Sequence, residues 1–154
     1  MRLRTRTTGT TLVPRLRKLE RDGLKFNLIM AKDHAESMLM LAQGRAYAFA
    51  MDDNTLAGNI AMLKNPQDFR IIGTPLGREP IALMLRRNDA AFKQAVDAEI
   101  ARLIASGELR AMYDKWFISP IPPANASLNL PFPTSLETAF AQPNADPAEA
   151  YAVP

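Results

Sequence analysis

The chain of 154 residues has no cysteine, one histidine and one tryptophan. Without cysteine, disulfides and thiolate-held metals are excluded, and cysteine usage carries no information on redox compartment. With His34 as the sole histidine, no metal site of paired imidazoles can be built and no nucleophile triad can be assembled with assurance from unplaced serines. No window reaches the roughly 18 consecutive apolar residues of a membrane span, and no charged start followed by an apolar core reads as a signal peptide. As written, the sequence is expected to have no export signal, which leaves the cytoplasm open as its location. Gly-Lys-Ser/Thr is absent too, which excludes a phosphate loop of the Walker type.

What is present is ordinary for a globular protein: 47% hydrophobic and 23% charged residues, enough to exclude overall disorder. The length suits one domain with a core, or one lobe plus part of another. The net charge of +3 is unevenly placed, with Arg2, Arg4, Arg6, Arg15, Arg17, Lys18 and Arg21 opposed only by Glu20 over the first 21 residues. Such a front end can serve nucleic acid or a membrane surface, but a short arginine run is more often a solvated face. No nucleic-acid partner is expected from it.

The chain is organised around the stretch Met51-Asp-Asp-Asn-Thr-Leu-Ala-Gly58, where an apolar strand gives way to a helix. Two earlier junctions, Thr7-Thr-Gly-Thr-Thr11 and Lys32-Asp-His-Ala-Glu36, have the same strand-to-helix character. Strands are expected at residues 26–30, 46–51, 69–73 and 81–85; residues 1–6 read as a truncated strand at most, poor material for a buried one because arginine alternates with leucine and threonine. Helices are expected at about 11–21, 35–43, 53–63, 89–105 and 108–117, with Asp33 and Asp89 as caps, Gly23 and Ser106-Gly107 as stops, and a brief capped helix from Thr134 to about Ala141. Alternating strand and helix imply βαβ units and a mostly parallel sheet, hence an α/β fold. The turn formers of residues 74–80 mark a crossover between domains, and residues 143–154 read as a loose tail.

In an open α/β sheet, ligand is held in the crevice outside the carboxyl ends of the strands, so the three junctions are the candidate site. The threonine loop offers hydroxyls and backbone N–H groups to an anion, although a helix cap with a turn glycine accounts for it as well. A lone histidine is more often a hydrogen-bonded structural group than a ligand contact. Of Asp52 and Asp53, one is expected to cap the following helix, leaving the other to accept a charged hydrogen bond from an ammonium group. Adjacent carboxylates at such a turn seldom face one point, which disfavours acid/base catalysis. The apolar stripes at Phe92, Val96, Ile100, Leu103 and Ile104 and at Leu109, Met112, Tyr113, Trp116 and Phe117 read as core.

Several segments in this order and spacing carry a resemblance: Thr-Thr-Gly-Thr-Thr, Ala-Lys-Asp-His-Ala-Glu-Ser, Gly-Arg-Ala-Tyr-Ala-Phe-Ala-Met-Asp-Asp, Met-Leu-Arg-Arg-Asn-Asp and Tyr-Asp-Lys-Trp-Phe-Ile-Ser-Pro-Ile-Pro-Pro. From residue 7 to about 142 the chain resembles the glutamate/aspartate-binding members of the periplasmic solute-binding proteins of amino-acid ABC transporters. The resemblance implies a periplasmic-binding-protein-like fold of type II, with two α/β lobes enclosing an amino acid. It implies that Thr7 and Thr10 bind the ligand from their loop, His34 its side-chain carboxylate and Asp52 its α-ammonium, with Asp53 as the capping partner. It further implies L-glutamate or L-aspartate as ligand, a membrane permease as partner, a periplasmic location, and no cofactor, metal or enzymatic activity.

By the same resemblance the chain looks like a C-terminal fragment. Residues 1–75 would be most of the second lobe, residues 76–142 the crossover and the returning C-terminal part of the first, and residues 143–154 a flexible tail. The arginine expected to hold the α-carboxylate would lie in the absent part of the first lobe. Two other classes remain open at this point: an enzyme on the same fold, of the cyclohexadienyl dehydratase kind, and a basic-armed interaction protein whose nucleic-acid binding would weaken steeply with salt.

Overall fold

A computed structural model describes residues 3–7, 12–122 and 125–151. The chain divides into two compact units, Met1–Ile72 and Gly73–Pro154.

The first unit is built on three parallel strands, β1 (Leu3–Thr7), β2 (Asn27–Ala31) and β3 (Ala48–Phe49), in the spatial order β2-β1-β3. The registers run from Leu3 opposite Asn27 to Thr7 opposite Ala31, and from Arg4 opposite Ala48 to Thr5 opposite Phe49. The arginine-rich start is therefore the central strand of the sheet. Intrinsic β preference spans only about 1 kcal/mol and yields to context, and here β1 is hydrogen-bonded along both edges.

Helix α1 (Leu12–Arg21) links β1 to β2. It buries Leu12 and Leu16, four residues apart and so on one face, and tolerates Pro14 in its first turn, where the missing N–H has no helical partner. Lys18 and Arg21 lie in its last turn, against the negative end of the helix dipole. Gly23, at φ 97°, then turns the chain toward β2. Helix α2 (His34–Ala42) links β2 to β3 and packs against all three strands, burying Ser37, Met38 and Met40. Helix α3 (Asp53–Ala61) follows β3. The core of Leu12, Leu16, Phe26, Ala31, Met38, Met40, Ala46, Phe49 and Ala57 lies wholly in this unit, and Leu16 is completely buried.

The strand expected at 69–73 does not form, and neither does the one at 81–85. Both are β-branched or apolar runs, but a strand exists only through a hydrogen-bonded neighbour, and among the described residues neither has one.

The second unit contains helix α4 (Ala90–Ala105), helix α5 (Glu108–Tyr113) and helix α6 (Thr134–Ala141). Asp89 caps α4 by accepting from Phe92 N at 3.1 Å while Arg86 donates to its other oxygen at 2.6 Å. Gly107, at φ 77°, makes the corner between α4 and α5. Arg102 forks across that corner to Glu99 at 2.8 Å and Glu108 at 2.7 Å. After α5 the chain widens into a π turn, Asp114–Ile118. Residues 127–140 are held to it by Ser127 Oγ donating to Ile118 O at 2.6 Å and by the Tyr113 hydroxyl donating to Leu130 O and Pro131 O at 3.3 and 3.2 Å. The Tyr113 ring stacks on Phe117 and meets Phe132 edge-on, and Phe132 meets Phe140. Helix α6 is present as expected, but Pro133 occupies its cap position and Thr134 is its first residue.

Candidate functional site

All three strands of the first unit are parallel, so their carboxyl ends lie along one edge of the sheet. The order β2-β1-β3 reverses direction between β1 and β3, because the chain steps to one side of β1 with α1 and to the other with α2. A crevice opens at such a switch point, where the two flanking loops diverge. The end of β1 at Thr7, the β2–α2 junction and the β3–α3 junction are thus brought to one edge by pairing alone.

Thr7 is the last residue of β1, opposite Ala31. Thr10 lies outside the described residues. His34 is the first residue of α2, held there by a reciprocal cap: Asp33 Oδ1 accepts from Glu36 N at 2.8 Å, and Glu36 Oε2 accepts from Lys32 N at 2.7 Å. This is the local chemistry of a capping box, and it fixes the backbone on both sides of the imidazole. The ring lies 6.4 Å from that of Phe49 on β3, tilted by 39°. Its Nε2 is buried and has no hydrogen-bond partner among the described residues. A buried polar atom left unpaired costs about 1–3 kcal/mol, so a nitrogen without a partner among the described residues is a candidate to meet a ligand.

At the third junction Asp52 occupies the cap position of α3 in extended conformation without a side-chain capping bond, while its carbonyl accepts from Leu56 N at 2.9 Å. Asp53 is the first helical residue, and its Oδ1 accepts from Asn54 N at 2.8 Å. The carboxylate engaged with the helix start is therefore that of Asp53, while Asp52 is half-buried at the strand end.

The edge so assembled holds one imidazole with a buried unpaired nitrogen, a half-buried carboxylate and the N-terminal end of α2. His34 and Asp52 follow the two strands that flank β1, so the one sheet edge combines places for a negative and a positive group, which suits recognition of a small zwitterion. Among the described residues no group of three metal-ligating side chains exists. Two neighbours escaped the sequence reading. Phe49 was legible only as a strand residue, although its register opposite Thr5 brings it beside His34; Ser37, fully buried, sits three residues after His34 and hence on the same helical face.

No family model matches the chain. It is 45% identical over 144 residues to a Pseudomonas aeruginosa protein named L-glutamate/L-aspartate-binding protein, a match covering 93% of this chain and 48% of that one. It is 42% identical over 139 residues to proteins of Escherichia coli (strain K12) and Salmonella typhimurium (strain LT2) named glutamate/aspartate import solute-binding protein, covering 90% of this chain and 46% of each. The chain spans about half the length of the curated relatives it matches. All three names are those of binding proteins and none is that of an enzyme. Over nearly all of its own length, this chain is a homologue of solute-binding proteins named for glutamate and aspartate.

Proposed function

We propose that the first unit is a ligand-holding lobe of an acidic amino-acid-binding protein that serves an import system, with a two-lobed, periplasmic-binding-protein-like architecture and a periplasmic place of work beside a membrane permease. The observation that carries the reading is the buried His34 Nε2, unpaired among the described residues, at the carboxyl edge of a parallel sheet whose switch point lies one strand away. In this reading His34 donates to the side-chain carboxylate of L-glutamate or L-aspartate, a charge-assisted bond stronger than a neutral one. Asp52 accepts from the α-ammonium, and Thr7 and Thr10 bind from the loop after β1. Residues 76–142 belong to the other lobe. No covalent step and no cofactor enter: the site works by complementary charge and by enclosing its ligand.

The test is an amide-resonance titration of the folded chain, which detects even millimolar affinity. L-glutamate and L-aspartate are expected to shift amides at the ends of the three strands, and the uncharged L-glutamine and L-asparagine are not. Asp52→Ala is expected to remove the response. Shifts scattered over the surface, or shifts indifferent to Asp52→Ala, overturn the assignment.

A further inference from the structure

Helix α1 carries its charges differently from α4 and α5. At about 100° per residue, Pro14, Arg17, Lys18 and Arg21 fall in one sector opposite the buried Leu12 and Leu16, and all four are exposed. Along the helix and the turn after it, Arg15, Arg17, Lys18, Arg21 and Lys25 stand against only Glu20 and Asp22. Among the described residues one ion pair forms here, Arg17 with Glu20 at 2.8 Å. In α4 and α5 the cations are matched within the helices: Lys93 with Asp97, Arg102 with Glu99 and Glu108, and Arg110 with Asp114.

The spacing in α1 sets like charges beside one another. Arg15 and Lys18 are three residues apart, as are Lys18 and Arg21, and Arg17 and Arg21 are four apart, an arrangement that opposes the helix. The helix dipole favours Lys18 and Arg21 in the last turn but leaves Arg15 and Arg17 without that benefit. An anionic surface outside the chain relieves this repulsion.

The end of the helix adds an apolar residue to the row. Gly23 N donates to Glu20 O at 3.2 Å and Leu24 N to Leu19 O at 3.0 Å, the paired bonds that close a helix on a left-handed glycine. They fix Leu24, 46% exposed, in the turn between Arg21 and Lys25. A leucine set among cations suits a lipid interface, where the charges meet headgroups and the side chain enters the acyl boundary. A nucleic-acid backbone offers no such place, and the outward sector has no aromatic ring on which a base could stack. A protein interface of ordinary make is depleted in charge, and in lysine above all, at its centre.

We propose that the outward face of α1 rests on an anionic lipid surface, with Arg17, Lys18, Arg21 and Lys25 at the headgroup phosphates and Leu24 at the acyl boundary. The turn at Gly23 leads into the amino end of β2, so Arg21, Leu24 and Lys25 lie at the end of the sheet opposite the candidate ligand site. Lipid contact therefore leaves that site uncovered, and the inference stands apart from the glutamate assignment.

The experiment sediments the full chain with vesicles of phosphatidylglycerol and, in parallel, of phosphatidylcholine. Binding to the first and not to the second is expected, weakening many-fold between about 0.01 M and about 0.15 M salt as the screening length falls from about 30 Å to about 8 Å. Attraction drops about five-fold for each cation removed, so Arg17→Gln with Lys18→Gln and Arg21→Gln should lower the partition coefficient about 100-fold. Arg17→Lys with Arg21→Lys should preserve it. Lys64→Gln with Arg70→Gln and Arg78→Gln removes equal charge at exposed positions elsewhere and should change it only a few-fold. Asp52→Ala is expected to bind vesicles as the parent does while losing the response to glutamate, which separates failure of this inference from failure of the ligand assignment. The headgroup and salt comparisons need no variant, so a variant that misfolds leaves the test intact. The inference is overturned by no binding to phosphatidylglycerol at low salt, by equal binding to phosphatidylcholine, by equal loss in the two triple variants, or by duplex DNA stripping the chain from vesicles at equal phosphate concentration.

Discussion

Replacing His34 by leucine separates a binding imidazole from a structural one, because the two roles predict opposite changes in stability. Nε2 is buried without a partner among the described residues while the ring packs toward Phe49, so an apolar side chain of similar bulk removes an unpaired polar atom and keeps the contact. An unsatisfied buried group costs about 1–3 kcal/mol, and its replacement by carbon recovers a part of that, about 1 kcal/mol. Urea unfolding of the first unit, followed by circular dichroism, should move to a higher midpoint with an unchanged slope. The same substitution removes a charge-assisted hydrogen bond worth about 1.5–3 kcal/mol to the bound carboxylate. The dissociation constant for glutamate in the amide titration should then rise about 10- to 100-fold. His34→Gln, which retains an N–H, should recover part of the affinity. Greater stability with weaker binding is the signature of a group kept for a ligand; lower stability with unchanged binding would show that His34 serves the core, and the reasoning would fail.

Leu16→Ala removes a completely buried side chain from α1 and should destabilise the first unit by about 2–5 kcal/mol in urea unfolding, leaving α4 untouched. Asp33→Ala removes the N-cap of α2 and should cost about 0.5–2 kcal/mol; because that cap holds the backbone beside His34, affinity should fall with it. The Arg86 guanidinium and the Phe92 N–H hold the Asp89 carboxyl below its usual range. Its contribution is therefore complete above the ordinary aspartate pKa of about 4 and lost as the pH falls through the depressed folded value, so hydrogen exchange in the first turn of α4 should rise below about pH 4, and in Asp89→Asn that step should vanish. Arg102→Ala cuts the fork to Glu99 and Glu108, but in so exposed a setting the loss in helix stability should be small and shrink further in high salt.

Much of this fold was legible wherever the decisive chemistry is local. The caps at Asp33 and Asp89 follow from a side chain reaching three residues ahead, and the stops at Gly23 and Gly107 follow from a backbone conformation that glycine adopts freely. Strand identity was not local. Residues 3–7 look unsuited to a sheet and form its centre, whereas residues 69–73 and 81–85 look suited and pair with nothing described, because pairing depends on residues far along the chain. At the site, the sequence marked the three junctions, and the residue types alone left Asp52 and Asp53 open. The backbone puts Asp52 at the cap position and Asp53 inside the first turn. The unpaired state of His34 Nε2 likewise had no sequence signature, since it is a property of what surrounds the ring.

The π turn at Asp114–Ile118 carries one residue more than an α-helical turn would hold, directly beneath Trp116 and Phe117. An extra residue in a helix works like a dial. Each position advances the side-chain direction by about 100°, so its presence decides which aromatic ring is turned toward Tyr113 and which toward the outside. As the chain stands, Phe117 stacks on Tyr113 at 4.5 Å and Trp116 is offered outward. Deleting a single residue ahead of Trp116 would turn both rings back by about 100° and take Phe117 off Tyr113, a change of aim rather than of chemistry.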